Sequence, residues 1–288
     1  MTIFEMVKYH SQEYPSDIPL ATEEIAAHFD ISNINSSLSK SLHTEYSYGK
    51  RKFNSSVIAS FPELISANKD GVPQLWKSEA WAKQFAHFII KLNGNTSAPV
   101  LIEIHPPFND YSDIAGFIST YRIFEELILA EYPNVQILIE NRCGSIYHGG
   151  KFLISKMDSL NELCEHIEAS NLNLKIAFDV PQIYTAHNAN DIEKQISILD
   201  ETESIREHIA GVHLWGKSIS TTGRKVAHCG DLNSYFNNDA NAKHLFLQSF
   251  ANCFNDGIAR KMVLEVNSGN ADVLSIISDL KSVGIVFE

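Results

Sequence analysis

The fold class follows from three consecutive segments: Val135-Gln-Ile-Leu-Ile-Glu-Asn141, residues 158–169, and Leu174-Lys-Ile-Ala-Phe-Asp-Val180. The first and third are short runs rich in Ile, Leu and Phe, which are typical of buried strands in a parallel sheet. The segment between them carries its apolar residues at helical spacing. Strand, helix and strand in this order predict a parallel sheet with crossover helices.

The same alternation continues along most of the chain. Further apolar runs begin at Ser56, Pro99, Ile209, Lys261 and Val283, and further amphipathic segments cover residues 76–92, 117–131, 192–208, 242–254 and 271–281. At the N-terminus, residues 2–7 are predicted as a strand and residues 21–29 as its helix. Eight strands predict an α/β fold, a (β/α)8 TIM barrel that forms a single domain over residues 1–288. An open doubly wound sheet is the alternative, and residues 1–55 have the weakest pattern, as a first unit or an N-terminal extension.

Composition narrows the class of function. The chain has 288 residues, is 44% hydrophobic, and combines 23 Lys and Arg with 35 Asp and Glu, so its formal charge is 23 − 35 = −12. Such a balance argues against broad electrostatic capture of nucleic acid or of an anionic membrane. No basic and apolar leader begins the sequence, and the four cysteines are scattered without a Cys-x-x-Cys pair. We therefore expect a cytoplasmic protein that acts on a small molecule.

Five consecutive apolar runs end in a residue that is costly to bury: His105, Glu140, Asp179, His213 and Glu265. The carboxyl ends of the strands form the active-site face of a (β/α)8 barrel. Because side chains alternate along a strand, each of these residues shares a face with an inward-pointing neighbour two positions earlier. Three carboxylates in one cleft repel one another unless a cation compensates them. Oxygen ligands with one imidazole suit Mn²⁺, Mg²⁺, Co²⁺ or Zn²⁺.

Four strand ends carry a resemblance to a known group: Leu138-Ile-Glu-Asn, Ala177-Phe-Asp-Val-Pro-Gln, Gly211-Val-His-Leu-Trp and Val263-Leu-Glu-Val. They resemble the strand-end signatures of the xylose isomerase-like TIM-barrel superfamily, which includes endonuclease IV and the ketose 3-epimerases. The resemblance spans roughly residues 56–288. It implies that Glu140, Asp179, His213 and Glu265 bind one divalent metal ion. Barrels of this group are often dimers or tetramers, which leaves a homo-oligomer open.

The epimerases of the group suggest a reaction. There, the two ligating glutamates face each other across the substrate and exchange a proton with the carbon beside its carbonyl group. By this resemblance, we expect a metal-dependent isomerase or epimerase that acts on a small sugar or polyol-type carbonyl compound. Glu140 and Glu265 would be its catalytic pair, serving as base and acid on opposite faces of the substrate.

Two alternatives depend on further metal ions. An endonuclease IV-like phosphodiesterase needs additional histidines, yet the group's His-x-Pro on the second strand corresponds to Ser60-Phe-Pro, and Gln182 replaces another of its histidines. His105 and His228 remain as candidates for a second metal ion or for substrate. The phosphodiesterase also needs a basic groove, for which Lys50-Arg-Lys52, Lys217, Arg224 and Lys225 are the candidates. The other alternative is a multinuclear metal barrel with an oxidative or binding role.

Five residues near the strand ends are predicted to contact the substrate: Arg142, Gln182, Trp215, Lys217 and Asn267. Arg142 is a fixed cation suited to a carboxylate or phosphate group. Lys217 adds a flexible cation for an anion or a substrate oxygen, and Trp215 adds a surface for stacking.

Overall fold

A computed structural model describes residues 1–26, 36–44, 59–66, 71–147, 150–220 and 222–288. Eight parallel strands form its barrel: β1 (Ile3–Tyr9), β2 (Thr22–Ala26), β3 (Ser39–His43), β4 (Leu101–Ile104), β5 (Gln136–Glu140), β6 (Lys175–Asp179), β7 (Ile209–Leu214) and β8 (Ala259–Leu264). Each strand pairs with the next, and β8 pairs with β1 from Ile3↔Ala259 to Val7↔Val263. This closure confirms the (β/α)8 barrel and excludes the open doubly wound sheet.

Eight α-helices occur within the described residues: α1 (Glu79–Asn93), α2 (Ile114–Glu131), α3 (Met157–Ser170), α4 (Val180–Ala186), α5 (Ile192–Glu201), α6 (Leu232–Tyr235), α7 (Ala240–Cys253) and α8 (Asn270–Ser282). Two 3₁₀ segments cover Pro62–Ile65 and Thr202–His208. After β7, a small antiparallel hairpin pairs Lys217–Ile219 with Lys225–Ala227, and after β5 a shorter one pairs Ile146–Tyr147 with Gly150–Lys151. No helix in the described ranges has both the length and the apolar character that a membrane span requires.

The first barrel unit differs from the sequence prediction. The strand predicted at residues 2–7 is confirmed as β1, but the helix predicted at residues 21–29 is wrong, because Thr22–Ala26 forms β2. The third strand, Ser39–His43, was not predicted at all. Its Lys40 is buried, and the ammonium group donates a 2.6 Å hydrogen bond to Asn93 Oδ1. A strand whose polar residues find buried partners loses the apolar pattern on which the prediction depends.

Two further predicted strands have different outcomes. The run that begins at Ser56 lies outside the described residues as far as position 58. The run that begins at Val283 contributes only Val286–Phe287, which pairs with Ile3 and Phe4 of β1 and does not close the barrel. The predicted strand order is therefore shifted by one, so that the run from Pro99 is the fourth barrel strand and the run from Lys261 is the eighth.

The lower part of the barrel interior is apolar. Leu101, Leu138 and Ala177 form a separate cluster of buried side chains there. Gly211 leaves room for this cluster, because a Cβ atom at that position would lie 2.8 Å from Leu138 Cδ1. The three side chains each lie two residues before Glu103, Glu140 or Asp179 on the same strand, so these polar side chains lie one level nearer the carboxyl ends of the strands.

Candidate active site

Eight buried, ionisable side chains converge at the carboxyl ends of the barrel strands: Glu24, His43, Glu103, His105, Glu140, Asp179, His213 and Glu265. Each is at most 6% exposed to solvent. The strand register sets their order, because Asp179 pairs with His213, and His43 pairs with Glu103. The face that the sequence predicted to carry the site therefore holds the five predicted strand-end residues and three more.

The four residues predicted as ligands of one metal ion lie together. Donor atoms of Glu140, Asp179 and His213 all lie within 4.8 Å of one another. Glu265 joins them through its Oε1 atom, which is 3.2 Å from His213 Nδ1. Glu140, Asp179 and His213 thus offer carboxylate oxygens and one imidazole nitrogen within the reach of a single small cation, whereas Glu265 forms a separate group of this kind with Glu24 and His213.

A second group adjoins the first and shares one of its residues. His43, His105 and Glu140 also hold donor atoms within 4.8 Å of one another. His105 Nε2 lies 3.1 Å from His43 Nε2 and 3.0 Å from Glu140 Oε2. Glu140 therefore stands between two groups of donors, each large enough to hold a metal ion.

His43 was not among the predicted site residues. Ser60, which the resemblance matched to a histidine, is exposed, and its hydroxyl accepts a hydrogen bond from Lys91 of α1. His43 ends a short strand, just as the predicted ligands do. That signal was available in Ser39-Lys-Ser-Leu-His43, although a single apolar residue gave it little weight.

Two further glutamates contact ring nitrogens of the site histidines, Glu103 that of His213 and Glu24 that of His43. Glu103 Oε2 lies 2.8 Å from His213 Nε2, on the side of the ring away from Glu265, and the Ser41 hydroxyl donates to Glu103 Oε1 over 3.2 Å. Glu24 Oε1 lies 3.3 Å from His43 Nδ1. A carboxylate behind a ligating histidine fixes its tautomer and ring orientation. Neither Glu24 nor Glu103 was predicted as a site residue.

Three of the residues predicted to contact substrate donate hydrogen bonds to the carboxylates. Arg142 donates to Glu140 Oε1 over 2.6 Å. Gln182 Nε2 donates to Asp179 Oδ2 over 2.8 Å, and Trp215 Nε1 donates to the same oxygen over 3.0 Å. The backbone N–H of Gln182 also donates to Asp179 Oδ1, because Asp179 is the N-cap of α4. These hydrogen bonds fix the orientation of the Asp179 carboxylate.

Asn141 clamps the ends of β5 and β6 together. Its side-chain oxygen accepts from the Asp179 N–H over 2.8 Å, and its side-chain amide donates to the Asp179 carbonyl over 3.0 Å. Glu140 is itself a predicted ligand. The adjacent Asn141 positions another, Asp179 on β6, through hydrogen bonds to its backbone.

The buried charges shift each other's protonation. Burial raises the pKa of Asp179 to about 6, and the charges of Glu140 and Glu265 act in the same direction. Burial also opposes ionisation of Glu140, but the Arg142 guanidinium and the hydrogen bond from His105 hold its pKa well below the usual value. Burial and the charge of Arg142 lower the pKa of His105 to about 4, so this imidazole is neutral at pH 7.

His213 shows the opposite behaviour. Burial disfavours its charged form, but the charges of Glu103 and Glu265 raise its pKa well above the usual value. A proton on His213 therefore compensates the surrounding carboxylates. A metal ion bound to the imidazole could take the place of this proton, because it would supply the same positive charge to the surrounding carboxylates.

Two cavities open beside the polar centre. One, of about 320 Å³, is lined by Arg142, Gln182, Trp215, Lys217, Lys225 and His228 among others. The other, of about 140 Å³, is lined by Glu24, His43, His228, Glu265 and Asn267 with Tyr9 and His10. His228 lines both, stacks on Trp215 with ring centroids 4.2 Å apart, and lies 3.2 Å from Glu265 Oε2. Lys217 and Asn267, both predicted to contact substrate, thus line different cavities.

Comparisons with known proteins assign no family to this chain. No protein-family model matches the sequence, and no curated protein matches it significantly. Among solved structures, it is similar to the 3-keto-D-glucoside 4-epimerase YcjR from E. coli, with a TM-score of 0.43 and 10% identity over 85% of this chain and 79% of that chain. It is also similar to a 2,3-dimethylmalate lyase, with a TM-score of 0.41 and 12% identity over 87% of this chain and 68% of that chain. Similarities of this size assign neither a family nor an activity.

Proposed function

We propose that the chain is a divalent-metal-dependent enzyme that isomerises or epimerises a small polyhydroxylated carbonyl compound. The observation that supports this proposal is the convergence of Glu140, Asp179, His213 and Glu265 in the upper barrel, beside a small cavity. Glu140 ends β5 and Glu265 directly follows β8, and these strands are three apart in a closed ring of eight. Two carboxylates placed on opposite sides of a substrate are what proton transfer at one carbon requires.

The donor set fits a metal ion. Carboxylate oxygens and imidazole nitrogens suit Mn²⁺, Mg²⁺, Co²⁺ or Zn²⁺. Burial raises the pKa of Asp179 and the charges of Glu140 and Glu265 raise it further, so a bound cation would favour its ionised, ligating form. When bound, the ion would polarise the substrate's carbonyl group and acidify the adjacent C–H bond.

The chain's own residues then perform the proton transfer. One glutamate accepts the proton from the carbon beside the carbonyl group, and return of a proton from the opposite glutamate inverts that carbon. Arg142 holds Glu140 in the ionised, proton-accepting form through the 2.6 Å hydrogen bond. His228 contacts Glu265 at 3.2 Å and is partly exposed, so it can relay protons between this carboxylate and the cavity. Trp215 and Gln182 keep Asp179 aimed at the centre.

Hydrogen exchange with solvent tests this function. We expect a panel of small aldoses, ketoses and their acids in D₂O to contain a compound that gains deuterium beside its carbonyl group, detected by mass spectrometry. Glu140→Gln and Glu265→Gln should each lose interconversion of the two epimers, and each should lose exchange from the epimer whose proton the missing glutamate accepts, while keeping the wild-type circular dichroism. Glu131→Gln, which removes an exposed charge at the end of α2, is the matched control. Full exchange in either active-site variant would reject the proton-transfer role.

A second candidate function is favoured by one observation, the sharing of Glu140 between two donor groups. Two metal ions bridged by a carboxylate are suited to phosphodiester hydrolysis or to oxidative chemistry. Part of the basic groove that a nucleic-acid substrate would need, residues 50–52, lies outside the described residues.

Elemental mass spectrometry of protein purified without chelator separates the two candidates. One equivalent of metal per chain with deuterium exchange supports the isomerase. Two equivalents, reduced to one by His43→Gln, together with hydrolysis of bis(p-nitrophenyl) phosphate or consumption of oxygen, would put the second candidate in its place.

A further inference from the structure

We propose that the substrate carries an anionic group, a phosphate or a carboxylate, that binds to Lys217 and Lys225 at the outer end of the 320 Å³ cavity. This inference rests on the proposed function in one respect, that this cavity receives the substrate. The positive charge that lines the cavity predicts an anionic substrate.

The cavity is lined by three permanently or usually cationic side chains, and they differ in what they contact. Arg142 is buried and donates to Glu140 over 2.6 Å, so its charge serves the carboxylate centre. In the part of the chain that the structure describes, neither Lys217 nor Lys225 has a carboxylate oxygen within 4.0 Å. Lysines elsewhere on this acidic chain do have such partners, among them Lys243 with Asp279 at 2.8 Å. The two cavity lysines therefore have charge available for a ligand.

The hairpin after β7 brings the two lysines to one surface. Lys217 pairs with Ala227, and Lys225 lies two residues before Ala227 on the same strand. Residues opposite each other and residues two apart share one face of an antiparallel pair, so Lys217, Lys225 and Ala227 point the same way. All three line the cavity. Diagonal neighbours in such a pair are about 7–8 Å apart, close enough for both ammonium groups to contact one anion.

The position of Lys217 is fixed by aromatic rings. Its ammonium lies 4.8 Å from the centroid of Tyr235 and 5.7 Å from that of Trp215. Burial and the charge of Lys225 lower the pKa of Lys217. A bound anion would relieve the repulsion between the two ammonium groups.

The same contacts connect the anion site with the reacting centre. Trp215 has Lys217 over its ring, and its indole N–H donates to Asp179 Oδ2 over 3.0 Å. Lys217 and Asp179 therefore contact the same indole ring, Lys217 over its face and Asp179 at its N–H group. A cavity of about 320 Å³ beside this ring suits a short polyhydroxylated chain that has its carbonyl end at the centre and its anionic end on the hairpin.

Calorimetric titration of the protein as purified tests the inference without any turnover. The probes are glycerol 3-phosphate, glycerate and glycerol, which share a short polyol chain and differ in charge, used at about 0.1 M salt to limit long-range effects. We expect an anionic probe to bind at least tenfold more tightly than glycerol. Lys217→Gln and Lys225→Gln should each weaken that binding by about fivefold to tenfold. Lys194→Gln, which removes an exposed lysine of α5, should leave it unchanged.

The outcomes separate the two ligand sources and the two proposals. Preference for glycerol 3-phosphate identifies a phosphate monoester, and preference for glycerate identifies a carboxylate. Equal binding of glycerol and both anions, or anion binding that survives in the Lys217→Gln/Lys225→Gln double variant, would overturn the inference. Lysine-dependent anion binding in a protein that exchanges no deuterium would instead refute the isomerase and leave the anion site standing.

Discussion

Glu103 provides the sharpest test of how the site is held together. Its Oε2 atom lies 2.8 Å from His213 Nε2, and each of the two side chains is only 1% exposed. We expect Glu103→Gln to weaken binding of Zn²⁺ or Co²⁺, because the amide keeps a similar shape but loses the negative charge that orients and polarises the imidazole. Carboxylates in this position behind a ligating histidine typically contribute about 10–100-fold to metal affinity. That range corresponds to about 1.4–2.7 kcal/mol.

The geometry places the expected loss towards the upper end of this range. Water does not replace the missing charge, since both groups are buried, and the Ser41 hydroxyl that donates to Glu103 Oε1 would meet an amide in its place. Glu103→Asp should have a similar effect, because a carboxylate that is shorter by one methylene group no longer reaches the ring. Glu103 is a positioning residue in this account, as it acts on the metal through His213.

Competition with a chromophoric chelator measures the affinity, and the visible spectrum of the Co²⁺ form reports the ligand geometry. Glu125→Gln is the matched control, because Glu125 is a buried glutamate on α2 whose partner is the Tyr121 hydroxyl at 2.7 Å. We expect it to reduce thermal stability without changing metal affinity or the Co²⁺ spectrum. An affinity for Glu103→Gln within twofold of wild type would refute the positioning role.

Three other perturbations have definite expected results. Gly211→Ala places a methyl group 2.8 Å from Leu138 Cδ1 and should lower the free energy of unfolding by about 1–3 kcal/mol in urea titrations, with Leu138→Ala recovering part of the loss; strict additivity would contradict the clash. The pKa of Asp179, raised to about 6, means that the folded carboxyl holds its proton more tightly than the unfolded one. In chelator-treated protein its contribution to stability is therefore present below pH 4 and lost as the pH rises to 6, by up to about 3 kcal/mol, and Asp179→Asn should remove this part of the pH dependence. His228→Gln should slow deuterium exchange while leaving metal content unchanged, and a parallel loss of metal would instead make His228 a ligand.

The strands from β4 to β8 could be predicted because their pattern is local. Each is a run of apolar residues that ends in one ionisable residue, as in Val263-Leu-Glu265. Burial on both faces dictates the run, and the carboxyl-terminal edge of a barrel dictates the polar end. Ordered along the chain, these ends place most of the polar centre without any knowledge of tertiary contacts.

The strands β2 and β3 could not be predicted in the same way, because their polar residues form hydrogen bonds with residues that are far away in the sequence. Thr22-Glu-Glu-Ile-Ala26 has adjacent glutamates, and Ser39-Lys-Ser-Leu-His43 has one large apolar residue. Lys40 becomes acceptable in a buried strand only when Asn93, at the end of α1, accepts its hydrogen bond. Because these two strands were missed, the predicted strand order was shifted by one and His43 was not considered as a site residue.

The buried carboxylates of the centre are costly for the stability of the fold. Five carboxylates surround the centre, those of Glu24, Glu103, Glu140, Asp179 and Glu265. Burying charge at this density opposes folding unless positive groups compensate it, and apolar residues of similar size would fill the same space at lower cost. The lower half of the same barrel does so, with Leu101, Leu138 and Ala177. The polar upper half therefore has no structural purpose that apolar residues would not serve better, which is the pattern expected where stability is given up for chemistry.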